Sequence, residues 1–161
     1  MTEIVRLWDQ YDRALAGDAW HGDNVWKILA EVRPEQAFQR VLPEAHSIWE
    51  LVAHMTFWET QVARRLRREP DLPVEELNFP PMPEATAQNW RKALDQFRRS
   101  NEELRSELAK VQDSQLDEPL SSPDKSVYVE LHGVIQHHLY HAGQIAILRK
   151  NLTGSKVATG L

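Results

Sequence analysis

Four of the chain's seven histidines fall within ten residues, at His132, His137, His138 and His141. Composition alone would place about 0.4 of a histidine in such a window, so the clustering asks for a cause. His137 and His141 stand at i and i+4, and on a helix their imidazoles project from one face about one turn apart. That spacing lets two nitrogens reach one metal ion. Val134, Ile145 and Leu148 lie close by on the same side, so the pair points inward. Two histidines leave a metal site incomplete, and His54 offers a third. It lies three residues after Leu51 and four before Trp58, beside an apolar stripe, where an unpaired imidazole would carry a desolvation penalty. Three inward histidines from two helices leave a fourth coordination position open to water or substrate. Spacing alone keeps a second reading open, in which these are core or surface histidines satisfied by hydrogen bonds.

Candidate helpers surround the trio. Glu50 precedes His54 by one helical turn and can orient it or act as a base, although a capping role already accounts for it. Gln144, three residues after His141, can hydrogen-bond a ligand or bound water. Tyr140 offers a phenol beside the site or a packing ring. His21, in Trp20-His21-Gly22, can reach over the mouth of a helical domain or cap a helix. His138 is rotated about 100° from His137 and faces another helix or solvent. Gly143 costs a helix about 1 kcal/mol relative to Ala, which points to a close helix approach. Rival chemistries are excluded more firmly: Met55 follows His54 and Ala142 follows His141, so no His-Glu-x-x-His occurs. The paired Glu-x-x-His of di-iron proteins, a Gly-rich phosphate loop and a Gly-x-Ser-x-Gly elbow are absent too.

The elements that must carry these residues are helical. The chain holds only 6 Gly, and its 9 Pro supply punctuation between long helical periods. Ile4, Leu7, Trp8, Tyr11 and Leu15 predict a helix from residue 2 to about 16. Val25, Trp26, Leu29 and Val32 resume the period, read as a continuation after a kink at Gly17 and Gly22. Ser47-Ile48-Trp49-Glu50 is a capping box that opens a second helix, with a stripe of Ile48, Leu51, Val52, Met55, Trp58, Val62 and Leu66. Arg64, Arg65, Arg67 and Arg68 end it, either as a solvated basic terminus or as an anion patch. Residues 69–84 contain five prolines and cannot be a helix interior. Sixteen extended residues span about 50 Å, more than the roughly 33 Å of a 22-residue helix, so a crossover along the whole domain is feasible. A third helix runs from about Ala85 to Val111 and a fourth from about Val127 to Asn151. The six tryptophans read as core, with Trp26 or Trp58 able to line an apolar pocket. One domain over 1–152 and a frayed tail over 153–161 complete the organisation.

The 161 residues and net charge of −5 argue against the broad basic surface that nucleic-acid binding uses. The absence of cysteine removes disulfides, thiolate ligands and cysteine nucleophiles, and makes a reducing compartment the default. No stretch approaches about 18 consecutive apolar residues, so a cytoplasmic protein without membrane contact is expected.

HSIWELVAHMTFWE and then HHLYHAGQIAILRK, with AWHGDNVWKIL early in the chain, resemble the DinB-like superfamily of four-helix metalloproteins. The resemblance covers essentially the whole chain, and His-x-x-x-His-x-Gly-Gln is its more specific motif. It implies an all-α four-helix bundle running up-down-down-up, with the Pro-rich crossover between the second and third helices. It implies a divalent metal on His54, His137 and His141. A three-histidine site suits Zn, Ni, Fe, Mn or Co, with Zn or Ni preferred. Some relatives are S-transferases or isomerases using low-molecular-weight thiols such as bacillithiol, mycothiol or glutathione, so thiol transfer or hydrolysis of a small-molecule substrate is expected. The alternatives are a non-catalytic metal or small-molecule binding protein, and a helical interaction protein with a structural histidine cluster that forms a homodimer.

Overall fold

The computed structural model describes residues 1–154. Among these the chain is mostly helical. In chain order the helices are α1 Glu3–Leu15, α2 Val25–Ala30, α3 Pro34–Ala37, α4 Ile48–Leu66, α5 Val74–Leu77, α6 Ala87–Leu108 and α7 Val127–Gly154. Strands β1 (Pro119–Ser122) and β2 (Lys125–Ser126) form a small antiparallel hairpin that leads into α7. The frayed tail expected over 153–161 lies outside the described residues from 155 onward.

Local chemistry sets the boundaries. The Ser47 hydroxyl accepts from the Glu50 N–H at 3.2 Å and the Glu50 carboxylate accepts from the Ser47 N–H at 2.7 Å, so α4 starts where its capping box places it. Thr86 accepts from the Asn89 N–H at 3.1 Å and opens α6 two residues later than the apolar period predicts. The first segment is not one kinked helix. Gly22 sits at a φ of 126°, and Asn24 accepts from the Lys27 N–H at 2.8 Å, so α2 begins anew behind its own cap. The hairpin escapes a period-based reading because its strands have only four and two residues.

Side-chain pairs along the long helices give their relative directions. Trp49 meets Trp90, Glu59 meets Ser100 and Arg67 meets Glu107, so α4 and α6 run the same way. Arg65 meets Glu130, Glu59 meets His138 and His54 meets His141, so α4 and α7 run oppositely. The Glu3 N–H donates to Asp113 just beyond α6 while Asp12 pairs with Arg105, which sets α1 against α6. Between them lies one core that includes Leu7, Leu29, Val52, Met55, Phe97, Leu104, Leu131 and Ile145, all nearly or fully buried. Trp49 and Trp90 belong to it, whereas Trp20 is fully exposed in the loop after α1. The arginines closing α4 make no free anion patch: Arg64 pairs with Glu69, Arg65 with Asp71 and Glu130, Arg67 with Glu69 and Glu103, and Arg68 with Glu118.

Inside this core stands a carboxylate. Glu59 is fully buried and receives a hydrogen bond from the Tyr11 hydroxyl at 2.6 Å, one from the Ser100 hydroxyl at 2.6 Å, and one from the Asn101 amide. The Asn101 carbonyl in turn accepts from the Trp26 indole at 2.8 Å. His138, also fully buried, brings Nε2 to 3.0 Å from Glu59, in ion-pair range though not aligned as a hydrogen bond, while its Nδ1 donates to the Val134 carbonyl at 2.6 Å. Burial and the Glu59 charge push the Tyr11 phenol well above its ordinary range, so it remains a donor. One side chain of α4 thereby holds α1, α6 and α7 at a common level. Glu59→Ala should lower the unfolding free energy in urea by about 3–5 kcal/mol, because several buried groups lose their partner together. A loss below about 1 kcal/mol would show that those groups find other partners.

Candidate metal centre

The level of Glu59 fixes the level of the histidines. His138 faces Glu59 across the core, and its neighbour His137 is thereby turned toward α4, where His54 stands one helical turn before Trp58. His137 Nε2 lies 2.8 Å from His54 Nε2 and 3.0 Å from His141 Nε2, and the three candidate ligand atoms all fall within 4.8 Å of one another. These three can hold a metal ion, and among the described residues no other group of three acidic or histidine side chains converges in this way. Two nitrogens bound tetrahedrally to one ion at about 2.0–2.1 Å stand roughly 3.4 Å apart, close to the spacing present.

The far sides of the rings explain their orientation. His54 Nδ1 is 3.3 Å from the Asn78 carbonyl, and His141 Nδ1 is 2.6 Å from Gln144 Oε1. Protons on these Nδ1 atoms leave both Nε2 lone pairs aimed at the common point. His137 Nδ1 is buried without a partner among the described residues. Asn78 also accepts from the Trp58 indole at 2.8 Å, and Phe79 stacks flat on His54 at 4.4 Å between ring centres. His46 stacks on the other face of Phe79 at 3.8 Å. Burial drives the His137 imidazole down to about 2 and that of His141 to about 4, with neighbouring imidazoles adding to both shifts, and burial also lowers His54. The trio is therefore neutral near pH 7, the state a metal ligand requires.

A cavity of about 780 Å³ opens beside the three rings. Its wall is largely apolar, with Leu42, Leu51, Trp58, Phe79, Ile147 and Leu148, and it carries Glu44, His46, Asn78, Tyr140 and Gln144 but no lysine or arginine.

Among the candidate helpers, Gln144 touches a histidine of the trio and Tyr140 lines the cavity wall, its ring centre 5.0 Å from that of His141. Glu50 is directed elsewhere. It is held by Arg40 and its own cap, and those hydrogen bonds outweigh burial to lower its pKa. His21 lies in a different groove, with Asp9, Arg13 and Leu139, because the loop after α1 leads away from the trio. Asn78 and Phe79 were not legible as site residues, since the Pro-rich segment has no period to place them. Glu59 did leave a signal: it falls on the stripe between Met55 and Val62, where a carboxylate is out of place.

In chelator-treated protein, the unfolded chain takes up protons at these histidines below about pH 6.5, while the folded chain resists until near 4 at His141 and near 2 at His137. The stability present above pH 6.5 is thus lost as the pH falls. The urea midpoint should drop between about pH 7 and about pH 5, and drop less when His137→Gln and His141→Gln are combined. Equal drops would remove these histidines as the cause.

The family model of the DinB superfamily matches residues 18–145. No curated protein and no solved structure matches the chain. The matched span takes in α2 through most of α7 and includes His54, His137 and His141, and the chain belongs to the DinB superfamily.

Proposed function

We propose that this chain is a divalent-metal-dependent enzyme in which His54, His137 and His141 bind the ion through Nε2 and the adjoining cavity receives a small, largely apolar substrate. The observation that carries this reading is the convergence of three neutral imidazoles on the edge of a cavity of about 780 Å³. A divalent ion held there would supply Lewis-acid chemistry and lower the pKa of a thiol or water that reaches it. The donor set suits Zn, Ni, Fe, Mn or Co, with Zn or Ni preferred. The remaining roles belong to the chain. Asn78 and Gln144 hold the proton-bearing Nδ1 edges of His54 and His141 away from the common point. Phe79 and Trp58 cover the rings and restrict water, and Leu42, Leu51 and Ile147 seat the apolar part of a substrate.

Thiol transfer is favoured over hydrolysis. Hydrolysis draws on a positioned general base, yet Glu50 is committed to Arg40 and the α4 cap, which leaves Glu44 as the carboxylate on the cavity wall. With no cysteine in the chain, the thiol would come from a low-molecular-weight cofactor. A cytoplasmic setting would supply it. The three helix pairings described above support reading α1, α4, α6 and α7 as an up-down-down-up four-helix bundle, whose parallel α4 and α6 are joined by the Pro-rich crossover. A non-catalytic binding protein would use the same ligands without turnover.

Elemental analysis of protein purified without added metal should find about one divalent ion per chain, and His137→Ala should lose it while helicity survives. An ion-free wild type that Zn, Ni and Mn all fail to load would sink the metal reading. Gln144→Ala should weaken metal affinity about 10–100-fold, since His141 loses its acceptor. The loaded protein should accelerate consumption of a small thiol by an aromatic electrophile; binding without turnover would favour the non-catalytic reading.

A further inference from the structure

α7 is apolar on more sides than the described residues cover. From Leu131 to Leu148 it carries no Asp, Glu, Lys or Arg. Its inner faces bury Leu131, Val134, His138, His141, Ile145 and Leu148. Its outer face presents Val129, Gly133, Gln136, Tyr140, Gly143 and Ile147, all exposed, with Val129 at 48%, Tyr140 at 65% and Ile147 at 61%. A helix with apolar character all round is one that expects cover on every side.

Two features of this stripe identify the cover. The glycines have no local reason to be there: a Cβ at Gly133 or Gly143 would meet nothing within 4 Å, so no element of the described chain needs the room. Exposed glycine inside a helix destabilises it, and small residues on an outer face let a second helix approach closely. The stripe is also symmetric. Its positions are spaced 4, 3, 4, 3 and 4 residues apart, and its chemistry reads alike from either end: a branched aliphatic, a glycine, a hydrogen-bonding side chain, a hydrogen-bonding side chain, a glycine, a branched aliphatic. Turned end over end about a two-fold axis beside residue 138, it sets Val129 against Ile147, Gly133 against Gly143 and Gln136 against Tyr140.

We propose that this face of α7 is an isologous interface with a second copy of the chain, the two α7 helices crossing antiparallel about that axis. The alternation of four- and three-residue steps is that of a helix–helix seam. The uncharged run places no like charges opposite each other. The seam also reaches the site. Tyr140 and Ile147 both line the cavity beside the three histidines, so the partner's Gln136 and the partner's Val129 would complete its outer rim. The proposal does not rest on the metal reading and is tested without metal.

Light scattering on the full chain at tens of micromolar should give twice the 18.7 kDa of one chain. The combined Gly133→Leu and Gly143→Leu variant, which keeps good helix formers over open space, should stay helical by circular dichroism and fall to a single-chain mass. Because the chain has no cysteine, Gln136→Cys with Tyr140→Cys gives an independent reading: oxidation should link two chains through the facing pair, which must come within about 7 Å. A wild type that remains a monomer, a dimer unaffected by both leucines, or an absence of the cross-link would each overturn the proposal. So would a monomer that dimerises only when cut after Gly154, which would assign the face to residues 155–161.

Discussion

A carboxylate with no access to water is the constraint from which the rest follows. Once Glu59 is enclosed, its oxygens must be met by donors, and those donors come from two other helices, Tyr11 of α1 and Ser100 and Asn101 of α6, while His138 of α7 faces it at ion-pair distance. Hydrophobic contacts alone would tolerate a helix that slides or rotates slightly, because apolar burial is not directional. Hydrogen bonds to one buried group do not. Glu59 also meets α7, through its ion-pair contact with His138, and His137 and His141 take their level from that contact.

The trio is held from both sides of the protein by unlike means. On α7 the ligands are placed by the helix itself, two residues one turn apart with Gln144 a turn further on. His54 depends instead on a segment with little regular structure, where Asn78 takes its Nδ1 edge and Phe79 covers its face. One half of the site is as rigid as a long helix, and the other is adjusted by a Pro-rich strap whose conformational freedom is already restricted before folding.

This division also explains what could be read in advance. The cap at Ser47 and Glu50, the inward pair His137 and His141, and the third histidine at 54 are local patterns, visible because helical period and capping chemistry act over a few residues. Asn78 and Phe79 act across the fold from a segment without period, and nothing near them in sequence marks their role. Glu50 and Glu59 show the opposite failing. Proximity to His54 drew attention to Glu50, which serves its cap and Arg40, whereas Glu59 sat in plain view on an apolar stripe. A carboxylate on an apolar stripe is the stronger mark, since burying it is costly enough to require partners. His21 stands in a groove apart from the trio, in the loop between α1 and the separately capped α2.

The lateness of α7 has a consequence for assembly. Among the described residues, every other element it touches precedes it in the chain, with Tyr11, Glu59 and Arg65 lying 65 or more residues upstream of their partners His138 and Glu130. A nascent chain that has made only α1 to α6 holds Glu59 with one edge unanswered and an open apolar trough where Leu131, Ile145 and Leu148 belong. Such a chain cannot settle, however well its individual helices form, because its contacts close over long sequence distances. Its exposed trough is a target for chaperones or for other unfinished copies, and the helix that follows, uncharged from Leu131 to Leu148, is both the missing wall and, until docked, a sticky segment of the molecule.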